Sequence, residues 1–192
     1  MNIVIIQPPL VQLNTPYPAG AYLSSFFRRI CSERGISGSV IWHDLSEELF
    51  HEIFCREGLA RLFELSSGNA LAMARKAEQD GDDNTAFQLR RYVSEQDAWC
   101  IWIERIIDIV CGSKGGHEYV HEFIRSAYVP RGSRMEQYLA SIGREPTADD
   151  AEVLASLALA DLADYITAAF DHHFALIRYA ESIACSTSDF AD

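Results

Sequence analysis

The sequence predicts an α/β chain: a short parallel βαβ start over residues 1–45, then a predominantly α-helical region or insertion over residues 46–192. Three observations carry this expectation. A β-branched apolar run opens the chain, a second apolar run lies near residue 40, and the segment between them has a helical period. After Asp44 the apolar residues recur at three and four positions almost to the end.

Asn2 to Gln7 reads as a strand, because Ile3, Val4, Ile5 and Ile6 form a run too short for a helix that stops at Pro8-Pro9. Apolar side chains on both of its faces predict a strand covered on both sides. Residues 8–20, PPLVQLNTPYPAG, hold four of the six prolines and no charge, which predicts an ordered loop. From Ala19 a helix is expected on Tyr22, Leu23, Phe26, Phe27 and Ile30, with Gly35 as its C-cap. Gly38 to His43 forms the second strand and Asp44 stands at its end. A right-handed parallel crossover follows from this order.

Ser46, with Glu47 and Glu48 in the first turn, opens a helix that continues to Leu65 with an irregularity at Gly58. Leu71 to Gln79 predicts another, and Gly81-Asp82-Asp83-Asn84 an acidic turn. Thr85 to Val110 predicts one long helix, with Tyr92, Trp99 and Trp102 on its apolar stripe. Their helical spacing favours core packing over a base-stacking surface. His117 to Tyr128 and Met135 to Ile142 predict shorter helices. Asp149 or Asp150 caps a last helix expected to reach Ala184. Residues 148–192 carry nine Asp and Glu and one basic residue, Arg178.

At 192 residues, with 48% hydrophobic residues, the chain has the composition of one globular domain or a little more. Acidic residues outnumber Lys and Arg by 28 to 16, a net charge of -12 whose field repels polyanions, so no nucleic-acid partner is expected. No apolar run approaches the ~18 residues of a spanning helix and the start lacks a basic signal region, so the expectation is a cytoplasmic protein without a membrane partner. Cys31, Cys55, Cys100, Cys111 and Cys185 are odd in number and scattered, which predicts reduced, mostly buried thiols.

The loop after the first strand is one candidate site, because parallel sheets place ligands at strand carboxyl ends beside a helix N-terminus. Gln7, Pro8, Pro9, Asn14, Thr15, Tyr17, Pro18, Ala19 and Gly20 would line a mostly uncharged pocket there, Gly20 allowing close approach. The alternative is a rigid packing loop. Asp44 is similarly poised, or serves as a helix N-cap. A second candidate is His117-Glu118-Tyr119-Val120-His121, an H-E-x-x-H pattern. On a helix it sets two imidazoles on one face for zinc, with a glutamate as proton acceptor, the arrangement of a zinc metalloprotease. A working site needs a third ligand, for which Glu136, Glu152, His172 and His173 are the downstream candidates. The alternative is a pair of ordinary helix-surface histidines. Consecutive His172 and His173 diverge if helical. No Walker loop or nucleophile triad is recognisable, and Ser113-Lys114-Gly115-Gly116 is too short for the former.

The stretch IVIIQPPLVQLNTPYPAGAYLSSFFRRI, then SVIWHDLS, resembles the start of radical-SAM enzymes with an N-terminal cobalamin (B12)-binding domain. LADLADYITAAFDHHFALIRYAESIA and TSDF are similar to a helical segment in one long subfamily. The resemblance implies a Rossmann-like βαβ start of an incomplete cobalamin-binding-like domain. It makes Gln7, Pro8, Pro9, Thr15, Tyr17, Pro18, Ala19, Gly20 and Asp44 cofactor-binding candidates, with no catalytic and no metal-ligating residue in this chain. The family's C-x-x-x-C-x-x-C cluster motif is missing, as is D-x-H-x-x-G. A 4Fe-4S cluster and S-adenosylmethionine would therefore belong to a missing portion or a partner subunit, and the chain alone would be noncatalytic. The completed assembly would carry out radical alkylation or rearrangement. A helical scaffold or interaction protein, able to form a homodimer through its apolar helix faces, is the expectation of a different class.

Overall fold

In a computed structural model, residues 2–7, 18–112, 114–176, 179–180 and 183–184 are described. The chain is mainly helical and opens on a two-stranded parallel sheet. It divides into two compact units: one runs from the start to Ile53 and takes in a short strand pair near the end, and the other runs from Phe54 to Leu176.

In the first unit, β1 (Asn2–Gln7) and β2 (Ser39–Asp44) pair in parallel, in register from Asn2 opposite Ser39 to Gln7 opposite Asp44. The crossover helix α1 (Pro18–Glu33) starts on a proline, whose missing N–H costs nothing at a first helical position. It stops as expected at Gly35, where φ is +62°. Gly35 N–H donates to the Ser32 carbonyl and Ile36 N–H to the Cys31 carbonyl, which closes the last turn. The indole of Trp42 packs against Gly20 of α1, so Ile3, Ile5, Val40 and Trp42 share the face toward that helix. Coverage of both sheet faces, expected from the apolar run, is not found among the described residues: Val4, Ile6 and Ile41 are 56%, 60% and 46% exposed. Asp44 begins α2 (Leu45–Ile53) by accepting the Glu47 N–H, and Glu47 and Glu48 fall in its first turn. A short antiparallel pair, β3 (Tyr179–Ala180) and β4 (Ile183–Ala184), also belongs to this unit.

The second unit opens with α3 (Arg56–Gln79). The irregularity expected at Gly58 falls instead at Phe54-Cys55, because Phe54 is fully buried and the Cys55 sulfur caps α3 by accepting the Gly58 N–H at 3.3 Å. Ser66 to Asn69, read from sequence as a gap between helices, lies within α3. Its hydroxyls turn back on the helix, Ser66 to the Leu62 carbonyl and Ser67 to the Phe63 carbonyl, while Asn69 Nδ2 reaches the Ala169 carbonyl at 2.8 Å. Tertiary bonds thus override weak local propensity. At the acidic turn, Gly81 has φ +80° and the Asp82 carboxylate caps α4 (Asp83–Ser94) through the Thr85 N–H.

The single helix expected over Thr85–Val110 is two, α4 and α5 (Gln96–Val110), kinked at Glu95. Helical bonding continues across the kink, from Glu95 N–H to the Arg91 carbonyl and from Trp99 N–H to the Glu95 carbonyl. No glycine or proline marks it; Arg91 instead holds Glu95 and the distant Glu136. Tyr92, Trp99 and Trp102 are buried, as their spacing predicts. Tyr92 stacks on Trp99 at 5.7 Å and meets Tyr165 at 5.1 Å, and Phe63 meets Tyr165 at 5.0 Å. Such pairs contribute about 0.5–1.5 kcal/mol each beyond their buried area.

Helix α6 (Lys114–Arg125) packs against α5, and a Cβ at Gly116 would sit 2.3 Å from the Asp108 carbonyl oxygen. It ends three residues earlier than expected, where the Ser126 hydroxyl accepts the Tyr128 N–H in a turn. Helix α7 (Ser133–Ile142) ends at Gly143, whose φ is +60°. A 3₁₀ turn, Ala148–Asp150, precedes α8 (Ala151–Ala169). Neither Asp149 nor Asp150 caps α8 through its side chain; Thr147 and Asp150 form a capping box on the 3₁₀ turn. The last helix stops at Ala169 rather than Ala184. Asp171 accepts the His173 N–H, and the Thr167 hydroxyl donates to the Ala163 and Phe174 carbonyls, local bonds that compete with continued helix. His172 and His173 therefore lie in a turn with ring centroids 3.8 Å apart, not on diverging helix faces.

Among the described residues no helix is long and apolar enough to cross a membrane. The described cysteines are free thiols, but only Cys31 is buried; Cys55 and Cys100 are intermediate and Cys111 is exposed. Burial pushes the Cys100 thiol up. Cys185 lies outside the described residues.

Candidate functional site

The carboxyl ends of β1 and β2 fall side by side because the two strands are parallel and in register. Gln7, only 8% exposed, donates from Nε2 to Asp44 Oδ2 at 2.7 Å. The other Asp44 oxygen takes the Glu47 N–H at 3.3 Å. Asp44 thus ties the strand ends together and caps α2. Beside it, His43 Nδ1 lies 2.8 Å from Glu48 Oε1.

Helix α1 begins at the same unit's Pro18, followed by half-buried Ala19 and buried Gly20. The close approach that Gly20 permits is made by Trp42: a Cβ on Gly20 would lie 2.3 Å from the indole Nε1 and Cε2. One helical turn on, Ser24 is buried. Ser24 Oγ and Trp42 Nε1 are both shielded and have no hydrogen-bond partner among the described residues. Leaving such groups unmet costs roughly 1–3 kcal/mol each, which an incoming polar group would offset. Of the residues proposed from sequence, the structure joins Gln7 to Asp44 and places Pro18, Ala19 and Gly20 at the start of α1. Pro8, Pro9, Asn14, Thr15 and Tyr17 lie outside the described residues.

No family model, curated protein or solved structure gives a significant match to this chain.

The HEYVH histidines, His117 and His121, are exposed on α6. Among the described residues no group of three or more His, Cys, Asp or Glu is placed to hold a metal ion, so neither Glu136, Glu152, His172 nor His173 completes that pair. Ser24 and Trp42 were missed as site residues; Ser24 stands four residues after Gly20, and that spacing was the available signal. A second feature legible only in three dimensions is a cavity in the other unit lined by Arg125, Arg131 and Arg144.

Proposed function

We propose that this chain is the N-terminal, cobalamin-binding-like portion of a radical-SAM-type protein, noncatalytic by itself. The observation that carries the proposal is the parallel β1–α1–β2 unit with two buried polar atoms, Ser24 Oγ and Trp42 Nε1, that have no partner among the described residues, beside its crossover helix. These groups fit the amide-rich periphery of a corrin, whose carbonyls would accept from both. Gln7 and Asp44 are already bonded to each other and would sit at the cofactor's edge. When bound, cobalamin supplies a cobalt centre able to carry an alkyl group; this chain's part is to bind and orient it.

Support for a further portion comes from the uncovered apolar surface. Val4, Ile6 and Ile41 on the sheet, and Tyr22, Leu23 and Phe26 on α1, are all exposed. The β1–β2 pair has no third strand among the described residues, and strands with open edges are ordinarily paired or covered. Additional βα units, from the remaining radical-SAM portion or a partner subunit carrying the 4Fe-4S and S-adenosylmethionine sites, would cover this surface.

Anaerobic titration with hydroxocobalamin, followed by absorbance and size-exclusion co-elution, tests the proposal. Retained corrinoid near one equivalent, lowered in Ser24→Ala, is the expected result. No retention by the chain, alone or mixed with the polypeptide encoded next to it, contradicts the proposal.

A further inference from the structure

The second unit contains a cavity of about 610 Å³, within the range of small-molecule sites, formed by the end of α6, the α6–α7 loop, α7 and the segment after Gly143. Three arginines line it: Arg125, Arg131 and Arg144. Its apolar lining comes from Ile124, Leu139 and Pro146, and Glu145 supplies the one carboxylate. A neighbouring cavity of about 340 Å³ shares Ile124, Arg125, Glu145 and Pro146 and adds His121 and Thr147.

The three guanidiniums are not equivalent. Arg144 is committed: it grips Asp150 with both nitrogens, at 2.7 and 3.0 Å, and also reaches the Glu145 carbonyl. Asp150 further accepts from the Tyr138 hydroxyl and from the backbone and side chain of Thr147. Arg144 and these donors hold the Asp150 carboxyl well below the usual carboxylate range. This network fixes the cavity wall from Arg144 to Asp150. Arg125 and Arg131 make no ion pair or side-chain hydrogen bond with any described residue. In a chain with 28 acidic residues, two guanidiniums lining one cavity, neither ion-paired with a described carboxylate, are the exception that asks for an anion.

We infer that this cavity binds a small organic oxyanion, a phosphate or carboxylate group held by Arg125 and Arg131 with an apolar body against Ile124, Leu139 and Pro146. The planar fork of arginine suits both groups, whereas the closed Arg144–Asp150 pair positions the wall without contributing a free charge. Glu145 disfavours a second anionic group at the rim, so a ligand with a single carboxylate or phosphomonoester group is preferred to polyphosphates. The site is independent of the sheet and of the cobalamin proposal.

Calorimetric titration of the full chain with phenyl phosphate, benzoate and inorganic phosphate tests the inference, with phenol as the uncharged probe. Saturable binding of phenyl phosphate or benzoate with Kd below about 1 mM is expected, and the stronger of the two identifies the oxyanion. Phenol binds at least tenfold more weakly. Arg125→Gln and Arg131→Gln each weaken binding about tenfold, the loss of a charged hydrogen bond. Arg125→Lys lies between, and Arg29→Gln on α1 leaves binding unchanged. Because Arg125 and Arg131 make no ion pair or side-chain hydrogen bond with a described residue, both variants keep the thermal midpoint of the parent. The inference is overturned by no saturable binding of either aromatic anion, or by equal binding in the Arg125→Gln/Arg131→Gln protein.

Discussion

Asp161 of α8 is 1% exposed, yet it caps another helix: its two carboxylate oxygens accept the backbone N–H groups of Arg134 and Met135 at 2.9 and 3.2 Å, at the start of α7. Gly132 makes room for it, since a Cβ there would lie 2.2 Å from the carboxyl carbon. Burial raises the Asp161 pKa from 3.8 to about 6 against the lowering by its two N–H donors, with Asp164 adding to the rise. The difference corresponds to about 3 kcal/mol between the two protonation states. Because the folded state holds the proton more tightly, this contribution to stability is fully present below pH 3.8 and is lost as pH rises through about 6. About 2 kcal/mol of it should disappear between roughly pH 4.5 and pH 7. Glu78, Asp82 and Asp150, whose pKa values are lowered by Arg90, by the Thr85 N–H and by Arg144 respectively, lose stability only at lower pH. Urea unfolding followed by circular dichroism, across this interval, should show the parent losing that much relative to Asp161→Asn, which cannot ionise. Parallel profiles for the two proteins, or a parent that gains on the variant as pH rises, would refute the assignment.

Three further outcomes follow from the packing. Gly20→Ala drives a methyl into the Trp42 indole and should destabilise the first unit by about 1–3 kcal/mol, measured as a lowered thermal midpoint; an unchanged midpoint contradicts the Gly20–Trp42 contact. Tyr165→Phe removes the 2.8 Å bond to the buried Ser66 hydroxyl and should cost about 1 kcal/mol in urea unfolding, with no change in secondary structure. Chelation with EDTA should leave the thermal midpoint where it was, because His117 and His121 lack a third ligand among the described residues; a fall of several degrees would reopen the zinc site.

The βαβ start was legible because strand runs, helical period and the Gly35 stop all agree locally. The buried aromatic residues of α4 and α5 were legible for the same reason. The breaks were not. Phe54-Cys55 separates two helices and the Cys55 sulfur caps the second, and Glu95 separates two more beside an arginine shared with a distant glutamate; neither break carries the glycine or proline that punctuates a sequence. Ser66–Asn69 looks like a breaker and is helical because Tyr165 and Ala169 supply distant partners. At the site, the role of Gly20 depends on which residue approaches it, and that residue, Trp42, is on β2, 22 positions further along the chain. The net charge argued against anions on average, but it could not show that Arg125 and Arg131 line one cavity without an ion pair to any described carboxylate.

The cobalamin proposal is tested most directly by the Trp42 indole N–H, a buried donor beside α1 with no partner among the described residues. The chain has three tryptophans, and Trp99 and Trp102 lie in the core of the other unit. In a ¹⁵N-labelled sample, with the Trp42 signal assigned through Trp42→Phe, added hydroxocobalamin should move the Trp42 indole resonance and leave those of Trp99 and Trp102 in place. A Trp42 resonance that stays put at saturating hydroxocobalamin, or three resonances that move together, would contradict a corrinoid site at the start of α1.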